Sequence, residues 1–141
     1  MPELSGKCFC GKVNWRAKGE MLWAAICHCE DCRKAASSDS VSWFGVFKDK
    51  VEWSGERQFY KSSAKVVRSF CGSCGAPLTF ESEVFPEETH IYAITLDDLS
   101  HYKPTAHIFW SERVPWVQVA DDMPKHEKGL QDAAAKGVTL L

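Results

Sequence analysis

Charge of one sign is missing from this sequence: 17 basic against 19 acidic residues leave a formal net charge of -2, and the lysines and arginines are scattered. A phosphate-backbone footprint needs a basic stripe, so nucleic acid is not an expected partner. Long apolar runs are missing too. No stretch approaches the roughly 20 residues that cross a bilayer, and Met1-Pro2-Glu3-Leu4-Ser5-Gly6 lacks a basic region followed by an apolar core. The chain is therefore expected in the cytoplasm, with no membrane partner. Internal repeats and low-complexity linkers are absent as well, and 141 residues suit a single folded domain.

What is present is ordinary globular material, 45% hydrophobic and 26% charged. Runs rich in β-branched and aromatic residues with partial alternation predict strands at Lys12 to Ala17, Met21 to Ile26, Val41 to Phe47, Val51 to Ser54 and Gln58 to Ser62. Further strands are expected at Val66 to Phe70, Pro77 to Glu81 and His90 to Thr95, with Gly, Ser, Pro and Asp signals between them. The fold class is mainly β and antiparallel. One short helix is expected from Asp31 to Ala36, with Asp31 as its cap. The tryptophans, and Trp43-Phe44 in particular, read first as core and second as cleft wall.

The seven cysteines are the departure from average composition. An odd number in a chain without an export signal argues against a disulfide framework and for metal ligation or thiol chemistry. Cys8-Phe9-Cys10-Gly11 and Cys71-Gly72-Ser73-Cys74-Gly75 are two short chelating turns, each followed by a glycine where the backbone must bend. Brought together, Cys8, Cys10, Cys71 and Cys74 make a closed tetrahedral zinc site of structural type. Cys27-His28-Cys29-Glu30-Asp31-Cys32 is different, because three thiols within one turn can face one ion and leave its fourth position open. Three protein ligands with an open position is the pattern of catalytic zinc, so Cys27, Cys29 and Cys32 are the candidate catalytic and metal residues. Arg33 and Lys34 follow at once and are candidates to pair with carboxylates of an anionic ligand, or simply a solvated basic pair. His28, between two ligands, is expected to point away from the ion. His90, His101, His107 and His126 have no ligand-like spacing and read as surface or hydrogen-bonded residues.

These clusters resemble the domain shared by glutathione-dependent formaldehyde-activating enzymes and the centromere protein V group. The similarity covers Gly6 to Gly11, Cys27 to Lys34, Phe70 to Leu78, Thr95-Leu96-Asp97-Asp98, Pro104, His107-Ile108 and Pro115-Trp116 in the same order. It places a zinc domain at residues 1–124 and leaves 125–141 as a C-terminal tail, in which Asp132 to Lys136 could form a short helix. The segment Ala35 to Asp39 departs from the family pattern in lacking a glycine. The resemblance implies a β-tent fold with a structural zinc and a second, labile zinc held by three cysteines. It also implies a carbon-sulfur lyase that joins glutathione, the small-molecule thiol partner, to formaldehyde as S-hydroxymethylglutathione. Two other readings compete: a noncatalytic zinc module that binds another protein, and an iron-sulfur cluster on the middle cysteines.

Overall fold

In the strand Asn14–Lys18 (β2) every second side chain is apolar, and Trp15 and Ala17 are buried while Asn14, Arg16 and Lys18 meet solvent. That alternation fixes the register, since a slip of one residue would turn the tryptophan outward. The computed structural model, which describes residues 3–131, pairs β2 antiparallel with Glu3–Lys7 (β1) on one side and with Val51–Ser54 (β5) on the other. Gly6 lies opposite Trp15, and Trp15 lies opposite Trp53.

The named elements among the described residues are ten strands in two sheets, one α-helix and four short 3₁₀ turns. They fall into two compact units, each assembled from separated stretches of chain. Among the described residues the first comprises 3–22 and 44–102, and the second 23–43 and 103–131. The strand Val41–Phe47 (β4) carries the chain from one to the other. No helix among the described residues is long and apolar enough to cross a membrane.

The first unit adds to the three-stranded sheet an antiparallel meander of Arg57–Ser63 (β6), Val66–Cys71 (β7), Pro77–Ser82 (β8) and Glu88–Tyr92 (β9). Its interior holds Val13, Trp15, Phe44, Val46, Leu78 and Ile91, all nearly inaccessible. The expected strand from His90 to Thr95 ends early, because Ala93–Thr95 tightens into a 3₁₀ turn in which the Thr95 hydroxyl donates to the Tyr92 carbonyl. Trp15 in turn donates its indole N–H to Thr95 Oγ1 at 3.0 Å, so the largest buried ring is also satisfied as a donor.

The second unit is built on Trp23–Cys27 (β3), whose WAAIC sequence is apolar throughout, consistent with a strand enclosed on both faces. Its neighbour, His107–Ile108 (β10), runs parallel to it rather than antiparallel. The helix α1 spans Glu30–Ala36, one residue longer at its start than the sequence suggests. Residues Lys125 to Lys128, assigned to the tail from sequence, lie along β10 and the turn after it. His107 N–H donates to the Pro124 carbonyl, His126 N–H to the His107 carbonyl, and Trp110 N–H to the His126 carbonyl. The Ala-rich helix expected at Asp132 to Lys136 lies outside the described residues.

Candidate metal centres

The first unit brings together the two turns that the sequence marks as chelating. They share one backbone plan: Cys8 N–H donates to the Val13 carbonyl and Cys71 N–H to the Ala76 carbonyl, while Gly11 and Gly75 return their N–H groups to the carbonyls of Cys8 and Cys71. Both glycines have φ near +80° (81° and 78°), and a Cβ there would meet nothing within 4 Å. Backbone conformation, not space, is what calls for glycine at these positions. The result places the sulfurs of Cys8, Cys10, Cys71 and Cys74 within 4.8 Å of one another.

The spacing fits a metal. Cys8 Sγ lies 3.6 Å from Cys10 Sγ, and Cys10 Sγ lies 3.8 Å from Cys71 Sγ. Four sulfurs placed tetrahedrally at about 2.3 Å from zinc stand about 3.8 Å apart. Backbone N–H groups also point at the sulfurs, from Val13 to Cys8 and from Ser73 and Cys74 to Cys71, at 3.3 to 3.4 Å. Such donors favour the thiolate. Burial raises the Cys8 thiol, but the N–H of Val13 and the sulfurs of Cys10 and Cys71 bring it below its ordinary value. The N–H of Ala76 leads the effects that take Cys74 down to about 6. Cys10 is the acceptor left over: the N–H of Lys12 lowers it, yet desolvation and its three sulfur neighbours carry it up to about 11.

The second unit holds the other cluster. β3 ends at Cys27, and Cys29 caps α1, its sulfur accepting the N–H of Cys32 at 3.3 Å. The cap is therefore a thiol and not the expected Asp31, which sits inside the first helical turn. Cys27, Cys29 and Cys32 lie within 4.8 Å of one another, and among the described residues no fourth His, Cys, Asp or Glu joins them. Cys27 and Cys32 are buried and Cys29 is partly open. The Cys27 thiol is pushed well above its ordinary range by its contacts with Cys29 and Cys32 and by burial. Cys29 is drawn down by Cys27, but Cys32 and burial outweigh that and push it up to about 12. Three thiolates packed this closely repel one another, and a dication removes that repulsion.

Arg33 and Lys34 are placed differently from each other. Arg33 donates Nε–H to the His28 carbonyl and Nη2–H to the Glu112 carbonyl, both at 3.0 Å. It ties the cysteine loop to the 3₁₀ turn Trp110–Glu112, whose Glu112 carboxylate accepts the N–H of Glu30. Lys34 is largely exposed and pairs with Glu30 at 2.8 Å. Beyond the helix, Ser37 takes the left-handed conformation (φ 52°) that a glycine would adopt without strain.

His28 is directed away from the three sulfurs. Its ring is buried, and Nε2 lies 2.8 Å from Nδ1 of His107, itself only 2% exposed. His107 Nε2 lies 3.0 and 3.2 Å from the Asp121 carboxylate oxygens. The hydrogen bond from His107 leads the effects that lower the Asp121 carboxyl. Burial and the nearby charges of His107, Arg113 and Arg33 lower His28 to about 4, which keeps it neutral. Trp110 stands edge-on to both imidazoles, 5.0 and 5.3 Å between centroids. Sequence reasoning read His107 as a surface or hydrogen-bonded residue and Trp110 as core or cleft wall, and it missed Asp121; none of the three carries local spacing, and the alternation Cys27-His28-Cys29 indicated a direction without naming a partner.

These two centres can be compared with known proteins. An uncharacterized lyase of Schizosaccharomyces pombe is 35% identical over 80 residues, 57% of this chain and 58% of that protein. The chain thus matches little more than half the length of this relative. A Halomonas elongata protein named "Putative glutathione-dependent formaldehyde-activating enzyme" is 25% identical over 126 residues, 82% of this chain and 80% of that one. The crystal structure of a Rhodobacter sphaeroides protein superposes with a TM-score of 0.56 at 22% identity, covering 66% of this chain and 87% of that chain, a likeness of fold. The sequence pattern of the glutathione-dependent formaldehyde-activating enzymes matches residues 3–112, a span that contains all seven cysteines. With more than three quarters of its length in that match, the chain belongs to the family of glutathione-dependent formaldehyde-activating enzymes.

Proposed function

We propose that this chain is a zinc-dependent carbon-sulfur lyase that joins glutathione to formaldehyde as S-hydroxymethylglutathione. The observation that carries the reading is the three-sulfur cluster to which no fourth ligand belongs among the described residues. When bound there, zinc would supply positive charge and an open coordination position, which together acidify a thiol at neutral pH. The family to which the chain belongs carries glutathione and formaldehyde in its name.

Cys27, Cys29 and Cys32 are the residues that would hold the ion, and Cys8, Cys10, Cys71 and Cys74 the residues that would hold a structural zinc. In the joining direction, the reverse of the lyase cleavage, the substrate thiol gives up its proton and its sulfur attacks the formaldehyde carbon. A carbon-sulfur bond forms, the carbonyl π pair moves onto oxygen, and that oxygen takes up a proton. Arg33 keeps donors beyond the two it gives to carbonyls, since a guanidinium has five. Those donors and the Lys34 ammonium, whose exposed pair with Glu30 exchanges readily with water, provide positive charge for a glutathione carboxylate.

The test is to load the protein with zinc, titrate glutathione by calorimetry against a thiol-free analogue, and follow S-hydroxymethylglutathione formation by NMR. Binding that requires the labile ion, with product formed faster than in buffer, is the expected result. A second reading, a noncatalytic zinc module that binds another protein, draws on Phe9, which stands 92% exposed between two ligand cysteines. Absence of thiol binding to the zinc-loaded protein would favour that second reading over the first.

A further inference from the structure

We propose that Asp121, His107 and His28 form a buried brace that sets the metal affinity of the three-cysteine centre. The proposal rests on the reading that this centre holds a metal ion.

Cys27 and Cys29 flank His28, and in extended chain successive side chains point to opposite sides. Whatever fixes the His28 ring inward therefore fixes both neighbouring sulfurs outward. Four contacts do so. The His28 N–H donates to the Ile108 carbonyl, its own carbonyl accepts from Arg33, its ring meets His107, and Trp110 covers the ring edge-on. The ring contact continues through His107 to Asp121, whose Oδ1 also accepts the N–H of Met123 and whose carboxylate lies 3.7 Å from the Lys125 ammonium. Asp121 is thus itself held in place at the far end of the brace.

Direction follows from the acceptor at that end. An ionised carboxylate only accepts, so His107 presents Nε2–H to Asp121. His28 Nε2 and His107 Nδ1 stand 2.8 Å apart, a hydrogen bond whichever ring donates it. Held by Asp121 at one end and by the backbone around His28 at the other, the two imidazoles have a fixed orientation. An apolar pair of equal volume would fill the same space without desolvating polar atoms. What two imidazoles add is a fixed direction, which a ligand loop spanning three consecutive residues needs and a packed methyl group does not supply.

Residues that orient metal ligands from outside typically change affinity by about 10- to 100-fold when altered. The test uses the full chain with both centres loaded, and measures zinc release to a chromophoric chelator together with the cobalt(II) absorption spectrum of the labile centre. His107→Leu is expected to weaken the three-cysteine centre by about 10- to 100-fold and to shift its cobalt bands. The four-cysteine centre should keep its ion. His107→Asn, whose amide can stand where Nδ1 stands, is expected to recover most of that loss. Asp121→Asn, at an exposed position where the change of one oxygen to an amide leaves the packing intact, is expected to lie between the two and carries the test should His107→Leu not fold. Two ions in the wild type, with zinc release and cobalt bands unchanged in the variants, would overturn the brace alone. A wild type that takes up a single ion would overturn the metal reading, and the brace with it.

Discussion

Replacing Cys71 by serine should unfold the protein, while replacing Cys29 by serine should not. Cys71 is 1% exposed and packs with Cys8, Val13 and Leu78, so this centre forms part of the core of its unit. Its sulfur accepts two backbone N–H groups, and the neighbouring ligand Cys10 lies 61 residues earlier in the chain. Closing a loop of that length costs on the order of 4 kcal/mol in chain entropy, which the metal must offset. Structural zinc contributes about 10 kcal/mol or more of folding free energy, against a total stability of about 5–15 kcal/mol for a domain. Losing one of four ligands and even half of that binding leaves little or no net stability. The three-cysteine ligands instead lie within six consecutive residues and close no long loop. Cys29→Ser should release one ion and lower the thermal midpoint by only a few degrees. Circular dichroism melts with metal content by mass spectrometry decide the matter. A Cys71→Ser protein that keeps both ions and the wild-type midpoint, or a Cys29→Ser protein that unfolds equally, would refute the reasoning.

Acid should empty the centres in sequence. A thiol must lose its proton to bind metal, and both thiols with a shift in the three-cysteine centre, Cys27 and Cys29, are raised, whereas in the four-cysteine centre Cys8 and Cys74 are lowered and only Cys10 is raised. As pH falls, the three-cysteine ion should therefore leave at a higher pH than the four-cysteine ion, as read by a zinc indicator during a slow titration; the reverse order would contradict it. Ser37→Gly relieves the left-handed helix cap and should stabilise by about 1 kcal/mol, raising the midpoint by roughly 3 °C in a melt. Gly6→Ala should do the opposite. An added Cβ would lie 2.4 Å from the Thr95 carbonyl oxygen and 2.5 Å from the pinned Trp15 ring, costing about 3 kcal/mol in urea unfolding.

The strands β4 and β5 were legible residue for residue, because Val-Ser-Trp-Phe-Gly-Val-Phe and Val-Glu-Trp-Ser carry β-branched and aromatic residues bounded by turn signals. β1 was not. Its Glu-Leu-Ser-Gly-Lys has one large apolar residue, and Gly6 serves there by leaving room for Trp15 of the next strand. β10 has two residues and exists through its pairing with β3, which no local pattern announces. The cysteine groups were readable because their short spacings are those that metal ligation imposes on a chain. The brace imposes none, since His28 and His107 stand 79 positions apart and meet only once β10 lies beside β3. The helix start was misjudged by one residue for a related reason: a cysteine sulfur does at Cys29 what a carboxylate was expected to do at Asp31.

The discontinuous make-up of the two units also bears on the order of events during synthesis. As the chain leaves the ribosome, Cys27, Cys29 and Cys32 emerge together and can capture an ion at once, whereas Cys8 and Cys10 must wait for Cys71 and Cys74. Early capture would be loose, because His107 and Asp121 arrive last of all. The nascent chain would thus hold an ion on that loop weakly and exchangeably until His107 and Asp121 have emerged, leaving a window in which a wrongly acquired metal can still be given up.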